Sequence, residues 1–181
     1  MRMSRSLAVL SVPDHALMRH VHAWYPPRWF RICMLCSTRA GDGWLWALVG
    51  LVLLLSPSEE RYSALLSAAL AIGAGVIVFC LLKRVFRRQR PCGLQHYCWG
   101  NLTPPDRFSF PSGHTITAFG VAVSVGWFYP AALIWLLACA VLVAISRIFL
   151  GMHFLTDVVT GAFVGSGIAC WSCRVVESAY S

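Results

Sequence analysis

Long apolar runs, separated by short polar clusters, make up most of this chain of 181 residues. The pattern predicts five membrane-crossing helices, at residues 43–55, 62–82, 112–128, 131–145 and 154–171. The first run is short against the roughly 20 residues that a crossing helix needs, so flanking residues must complete it. In the last run, Gly161 and Gly165 permit close helix packing within the bundle. The pattern therefore predicts an all-α, integral-membrane helical bundle.

Residues 1–40 follow a different pattern. Arginines and histidines are interleaved with aromatic residues, and Pro13, Pro26 and Pro27 interrupt the segment. This mixture is typical of an amphipathic segment that lies on the membrane surface. A sixth crossing helix is the alternative, although it would bring several arginines into hydrocarbon. We therefore expect an N-terminal interfacial segment at 1–40 and a single transmembrane domain at 41–181.

The composition supports a membrane protein and narrows its partners. Hydrophobic residues make up 58% of the chain, charged residues 12%, and the net charge is +8. The excess cations lie mainly in the N-terminal segment and at residues 83–90, where they suit lipid head groups and a phosphate better than nucleic acid. We expect the bilayer as a partner, no nucleic acid and no obligate protein partner.

A polar loop follows the second predicted span, at residues 91–110. Cys92 and Cys98 lie in it, and they can pair if the loop faces an oxidising compartment, which the sequence leaves open. His96 and Arg107 are candidates for additional phosphate contacts, although solvated loop residues are the more ordinary interpretation. A loop of this size beside a site is often functional.

Three polar clusters stand at the ends of the apolar runs, at residues 83–91, 110–114 and 146–157. The first has five cations in its first eight residues. For its inner arginines, simple anchoring of the helix end is the alternative interpretation. Because five crossings return the chain alternately to each side, all three clusters reach the same membrane face.

The residue types in these clusters indicate a phosphate-handling site. Ser112 and Gly113 stand where an apolar helix begins, and the free N–H groups of a helix start bind anions. His153 and Asp157 are four residues apart, on one helix face, so the carboxylate can hold one imidazole nitrogen and leave the other free for attack. The planar donors of Arg147 suit a tetrahedral oxyanion. An acid inside an apolar helix is expensive unless it is paired.

The pattern Lys83-x6-Arg90-Pro91, Pro111-Ser112-Gly113-His114 and Ser146-Arg147-x5-His153-x3-Asp157 resembles the three motifs of the type 2 phosphatidate phosphatase superfamily. That superfamily includes membrane lipid phosphatases, bacterial acid phosphatases and vanadium haloperoxidases. The resemblance covers residues 83–157, and the motifs match at every defining position. Together with the apolar runs, it favours the membrane lipid phosphatase branch.

The resemblance also implies roles for the motif residues. His153 is expected to be the nucleophile, Asp157 to orient it, and His114 to act as general acid and base through a phosphohistidine intermediate. The expected phosphate-binding residues are Lys83, Arg90, Ser112, Gly113 and Arg147. The reaction implied is metal-independent, with no cofactor.

The substrate implied by the resemblance is a lipid phosphomonoester or diphosphate. Candidates are a polyprenyl diphosphate such as undecaprenyl diphosphate, phosphatidylglycerol phosphate, phosphatidate and a lipid A phosphate, and the cell-envelope role of many relatives favours the first two. Two alternatives are a vanadate-dependent haloperoxidase and a non-catalytic protein that binds or transports a lipid phosphate.

We expect a multi-pass protein of the bacterial inner membrane. Six arginines before the first span favour a cytoplasmic site by the positive-inside rule. Many relatives act instead on the outer face of that membrane. We therefore expect the site on the periplasmic face.

Overall fold

The computed structural model describes residues 5–94 and 106–180, with side chains at 13–93 and 106–180. The helices are α1 (Arg5–Ala23), α2 (Arg28–Arg39), α3 (Leu45–Leu55), α4 (Arg61–Phe86), α5 (Pro91–Leu94), α6 (Gly113–Phe128), α7 (Pro130–Phe149) and α8 (Leu155–Tyr180). A π-helical segment, Ala40–Trp44, joins α2 to α3. The described residues contain no strand, only an isolated bridge between Gln89 and Phe108. The predicted all-α class is confirmed.

The first crossing helix is longer than the sequence suggested. α2, the π-helical segment and α3 form one apolar stretch of 28 residues, Arg28–Leu55, so the predicted start at residue 43 is wrong. Arg28 and Arg31 lie in the first turn of this stretch, where long side chains can reach the head groups. Arg39 lies 3.5 Å from the Asp42 carboxylate, which pairs its charge. The helical stretch continues through residue 40, where the sequence analysis divides the N-terminal segment from the transmembrane domain. That division stays a prediction.

Within residues 5–94 and 106–180, four helices are long and apolar enough to cross a membrane: the stretch Arg28–Leu55, α4, α7 and α8. α6 has only 16 residues and is the central element, packed against α4, α7 and α8. Small side chains make this possible, since Ala118 and Ala122 are fully buried at the contacts. The five predicted apolar runs are all helical, and α6 forms the core of the bundle.

α6 and α8 approach closely at the two glycines of α8. A methyl group built on Gly165 would overlap the backbone carbonyl of Ile116, and one on Gly161 would lie 2.9 Å from the carbonyl oxygen of Ser112. Only hydrogen fits between these backbones. The packing places the start of α8 directly beside the start of α6, which brings the second and third polar clusters together.

The chain between α4 and α6 returns along the same end of the bundle. The backbone N–H of Ser109 donates to the carbonyl of Arg88 at 2.8 Å, and Gln89 pairs with Phe108. The N–H of Cys92 donates to the carbonyl of Gly151 at 3.1 Å. The sequence-based candidates His96 and Cys98 lie outside the described residues.

Candidate active site

A cavity of about 310 Å³ opens at the end of the bundle where α4 and α7 finish and α6 begins. Six of the eight predicted site residues line it: Lys83, Arg90, Gly113, His114, Arg147 and His153. The other two, Ser112 and Asp157, are fully buried behind the wall. The tertiary structure therefore gathers all three polar clusters around one cavity.

His153 lies in the turn between α7 and α8 and is almost completely buried. Its backbone N–H donates to the carbonyl of Arg147 at 3.1 Å, which holds the turn against the end of α7. Its Nδ1 lies 3.6 Å from Oδ2 of Asp157, an ion-pair distance that is too long for a hydrogen bond. The same Oδ2 accepts the backbone N–H of Phe154 at 2.9 Å.

The other imidazole nitrogen of His153 faces a cation. Nη1 of Arg90 lies 3.1 Å from Nε2 of His153 and also donates to the carbonyl of Met152 at 2.9 Å. Because a guanidinium has only donors, Nε2 must present its lone pair and the proton belongs on Nδ1. Burial lowers the pKa of the His153 imidazole to about 3, and the Arg90 and Arg147 cations add to this effect against the charge of Asp157. Both effects favour a neutral imidazole, whose Nε2 lone pair is directed at Arg90 in the free protein.

Lys83 and Arg90 share one carboxylate, that of Asp106. Nζ of Lys83 donates to Oδ2 at 2.7 Å, and Nη2 of Arg90 donates to Oδ1 at 3.0 Å. Burial alone would raise the pKa of the Asp106 carboxyl, but the Lys83 hydrogen bond and the Arg90 charge outweigh it, and the pKa lies below its ordinary value. Asp106 is thus an anion held at the mouth of the cavity by two of its cations.

Ser112 occupies the N-cap position of α6. Its backbone N–H donates to the carbonyl of Asp157 at 3.1 Å, and its hydroxyl oxygen accepts from the Thr115 hydroxyl at 2.9 Å. Gly113, the first helical residue, lines the cavity. The helix start therefore reaches the cavity through Gly113, while Ser112 ties α6 to α8.

His114 has an acidic partner that the sequence analysis missed. Its Nε2 lies 2.7 Å from Oδ1 of Asp42, which belongs to the π-helical segment of the first crossing helix. Gly43 beside it has a φ of 124°, a left-handed conformation that favours glycine. The chain kinks between two helices at Gly43, and Asp42 lines the cavity there. A second acid–imidazole pair therefore faces the cavity opposite His153.

Arg147 is buried and bonded on one side only. Its Nη1 donates to the hydroxyl of Thr38 on α2. Its Nε has no hydrogen-bond partner among the described residues. A buried cation with an unused donor at the cavity wall is suited to an anion that enters the cavity.

Several further polar residues bond to the predicted site residues without having been predicted themselves, among them Thr38, Asp42, Arg88, Asp106 and Thr115. A signal existed for Asp42, an acid at the start of an apolar run between two glycines. Arg88 was interpreted as a possible helix anchor, yet its Nη1 donates to Oδ1 of Asp157 at 2.7 Å. Sequence spacing carries no information about most of these partners, because they are far apart along the chain.

Comparison with known proteins identifies the family. The sequence matches the PAP2 superfamily over residues 64–180. A probable lipid phosphate phosphatase beta of Arabidopsis thaliana is 29% identical over 94% of this chain and 90% of its own length. Decaprenylphosphoryl-5-phosphoribose phosphatase of Mycolicibacterium smegmatis is 37% identical over 66% of this chain and 62% of its own length.

A solved structure shares the fold. The crystal structure of a transmembrane PAP2 type phosphatidylglycerolphosphate phosphatase from Bacillus subtilis aligns with a TM-score of 0.72 at 23% identity, covering 97% of this chain and 89% of that one. The shared fold agrees with the family match and with the apolar helices. The chain belongs to the PAP2 superfamily and is a multi-pass membrane phosphatase, a phosphoric monoester hydrolase.

Proposed function

We propose that this protein hydrolyses a lipid phosphomonoester or diphosphate through a phosphohistidine formed on His153, without a metal ion. The observation that carries the proposal is the position of His153, which lines a cavity together with Lys83, Arg90 and Arg147 and holds its Nε2 3.1 Å from the Arg90 guanidinium. A nucleophile and three cations around one cavity suit phosphoryl transfer, in which catalysis depends on position and charge. Among candidate substrates we favour a polyprenyl diphosphate or phosphatidylglycerol phosphate.

The first step transfers the phosphoryl group to the protein. The Nε2 lone pair of His153 attacks phosphorus, the bond to the leaving oxygen breaks, and protonated His114 gives its proton to that oxygen. Arg90, which meets Nε2 in the free protein, moves to an equatorial phosphoryl oxygen. The charge that Asp157 carries offsets the positive charge that His153 gains.

The second step releases phosphate. His114, now neutral, takes a proton from a water molecule, the water oxygen attacks phosphorus, and the bond between phosphorus and Nε2 breaks. His153 returns to its neutral form. The phosphate-binding group in both steps comprises Lys83, Arg90, Ser112, the Gly113 amide and Arg147, with Ser112 acting mainly through the helix start that it caps.

The position of the cavity supports a lipid substrate. It lies at one end of a bundle of membrane-crossing helices, so a phosphate can enter it while an apolar tail stays in the bilayer. The relatives with names that specify a lipid or polyprenyl phosphate agree with this class.

The test is phosphate release by the detergent-purified full chain, with a chelator present. The substrates are phosphatidate, phosphatidylglycerol phosphate, undecaprenyl diphosphate and a lipid A phosphate, and His153→Ala runs beside the wild type. We expect release from at least one lipid, insensitive to chelator, abolished in the variant, and accompanied by an acid-labile phosphoprotein in the wild type. Wild-type turnover by His153→Ala would rule out the nucleophile.

Sidedness is a separate proposal, that the site faces the periplasm of a bacterial inner membrane. A single cysteine at Arg107, which is exposed beside the site, would be labelled by a membrane-impermeant thiol reagent in intact cells, in a variant whose own cysteines are replaced. A cysteine at Glu59, at the other end of the bundle, should be labelled only after lysis. The reverse pattern would place the site in the cytoplasm.

A further inference from the structure

Arg88, just past the end of α4, connects the N-terminal helix α1 to the start of α8. Its Nη1 donates to Oδ1 of Asp157 and to the hydroxyl of Thr156, both at 2.7 Å, and its Nη2 donates to Oδ2 of Asp14 at 2.7 Å. The guanidinium also stacks over the ring of Phe154, 4.1 Å from its centroid. This arginine is held from several sides and does not simply flank a helix in solvent.

Asp14 supplies the α1 side of this contact and is only 3% exposed. Besides Arg88, it accepts the backbone N–H of Thr156 at 3.3 Å and the hydroxyl of the same residue. An acid at the start of α8 is favoured by the helix dipole. One turn further along α1, fully buried Met18 packs against Phe154. α1 is thus docked on the turn that carries the proposed nucleophile.

The two oxygens of Asp157 have different partners. Oδ2 accepts the N–H of Phe154 at 2.9 Å and faces Nδ1 of His153, whereas Oδ1 accepts from Arg88. Two donors on opposite oxygens fix the plane of the carboxylate. A partly buried guanidinium paired with Asp157 alone would also weaken the attraction of Asp157 for a cationic His153. Asp14 shares that guanidinium. Asp157 therefore attracts a cationic His153 more strongly than it would if it were paired with Arg88 alone.

We infer that Asp14 and Arg88 form a positioning pair that sets the orientation and charge of Asp157, and through it those of His153. The inference rests on the proposed function, because it gives the pair a part in presenting the nucleophile. It also makes the docked part of α1 a component of the catalytic apparatus. Neither residue belongs to the phosphate-binding group, and neither lines the cavity.

The test separates positioning from simple support of the fold. Three variants of the full chain are compared with the wild type: Arg88→Gln, Asp14→Asn and the double variant. Two quantities are measured in detergent, the single-turnover rate of phosphoenzyme formation and the dissociation constant of orthovanadate, a phosphate analogue. The substrate is whichever of phosphatidate, phosphatidylglycerol phosphate and undecaprenyl diphosphate the wild type cleaves fastest.

We expect Arg88→Gln to slow phosphoenzyme formation about 10- to 100-fold, the scale of a displaced catalytic geometry, with vanadate affinity changed by less than about twofold because its cations remain. Asp14→Asn should also slow formation. The double variant should be no slower than Arg88→Gln alone, because the two residues act through one contact and removing both leaves no unpaired acid opposite Asp157.

The matched control is Arg84→Gln, which removes an exposed cation of the same cluster and should leave both quantities as in the wild type. If the rate reductions of the two single variants multiplied in the double variant, the inference would be overturned. It would also be overturned if vanadate binding were lost together with phosphoenzyme formation. If the wild type formed no phosphoenzyme, the proposed function itself would be wrong.

Discussion

Oδ2 of Asp106 lies 2.7 Å from Nζ of Lys83, and the second oxygen of the same carboxylate is bonded to Arg90. Lys83 and Arg90 are two of the three cations that the motif resemblance assigns to the phosphate, the third being Arg147. In the free protein they therefore already hold an anion that belongs to the chain. A phosphate that enters the cavity must share them with Asp106.

Removing the charge of Asp106 should strengthen anion binding. We expect orthovanadate to inhibit Asp106→Asn at about tenfold lower concentration than the wild type, since one repelling charge corresponds to roughly 1.4 kcal/mol. Glu59→Gln, which removes an exposed acid at the far end of the bundle, is the control. Weaker inhibition of Asp106→Asn would mean that Asp106 chiefly keeps Lys83 and Arg90 in place.

The Asp42–His114 pair should matter most when the leaving group needs a proton. Asp42→Asn keeps the size of the side chain but removes the charge that supports a cationic His114. For an alkyl phosphate we expect kcat/KM to fall about 10- to 100-fold, at or below the lower end of the about 10²–10⁴-fold that general acid catalysis contributes. The second substrate is a para-acylphenyl phosphate with a chain of equal length. Its leaving oxygen needs little protonation, so kcat/KM should fall only slightly.

The comparison uses kcat/KM because it reports the steps through phosphoryl transfer, whatever the rate of later hydrolysis. A variant that was merely misfolded would lose both substrates alike. Equal losses would therefore show that Asp42 has no special connection with His114 as an acid.

His153 should make stability depend on pH in a defined window. Its pKa is about 3 in the folded chain, where burial is the main cause, and about 6.5 in an unfolded chain. The folded state thus favours the neutral imidazole, so this contribution to stability is complete above about pH 6.5 and is lost as the pH falls toward about 3.

Thermal unfolding in detergent between these pH values checks the effect. We expect Tm to fall less on acidification for His153→Asn than for the wild type. The exposed residue His20 provides the control, and His20→Asn should keep the wild-type slope. Parallel slopes for wild type and His153→Asn would contradict a strongly depressed pKa.

Gly165→Ala should destabilise the bundle. Its added methyl group meets the backbone of Ile116, which cannot move aside as a flexible side chain would. We expect a loss of about 1–3 kcal/mol, typical of overpacking. Gly167→Ala is the matched control on the same helix, because a methyl group there meets nothing within 4 Å. It should be neutral, or stabilising by up to about 1 kcal/mol.

A lower Tm for Gly165→Ala than for Gly167→Ala would confirm the close approach of α6 and α8. Equal values would place the two helices further apart. Activity should follow stability in these variants, because Gly165 lies below the site and touches none of its residues.

The sequence alone determined the features that depend on local spacing. Runs of apolar residues long enough to cross a bilayer identify the helices, because a membrane imposes that length. The interval of four residues predicted that His153 and Asp157 lie close together, since a helix repeats every 3.6 residues. In the structure they do lie close, but His153 precedes α8 in the turn and is not on its face. The same short intervals picked out the motif residues, whereas their expected roles came from the family resemblance and stay predictions.

The tertiary structure decided which distant residues meet. Asp42 reaches His114 across 72 positions of the chain, and Asp14 reaches Arg88 across 74. No periodicity relates such residues, because their contact depends on how the helices pack and on the π-helical segment that turns Asp42 toward the cavity. The start of the first crossing helix at Arg28 was hidden for a related reason. Its arginines interrupt the apolar pattern, and only the packing of Met34 and Thr38 shows that the segment continues the helix.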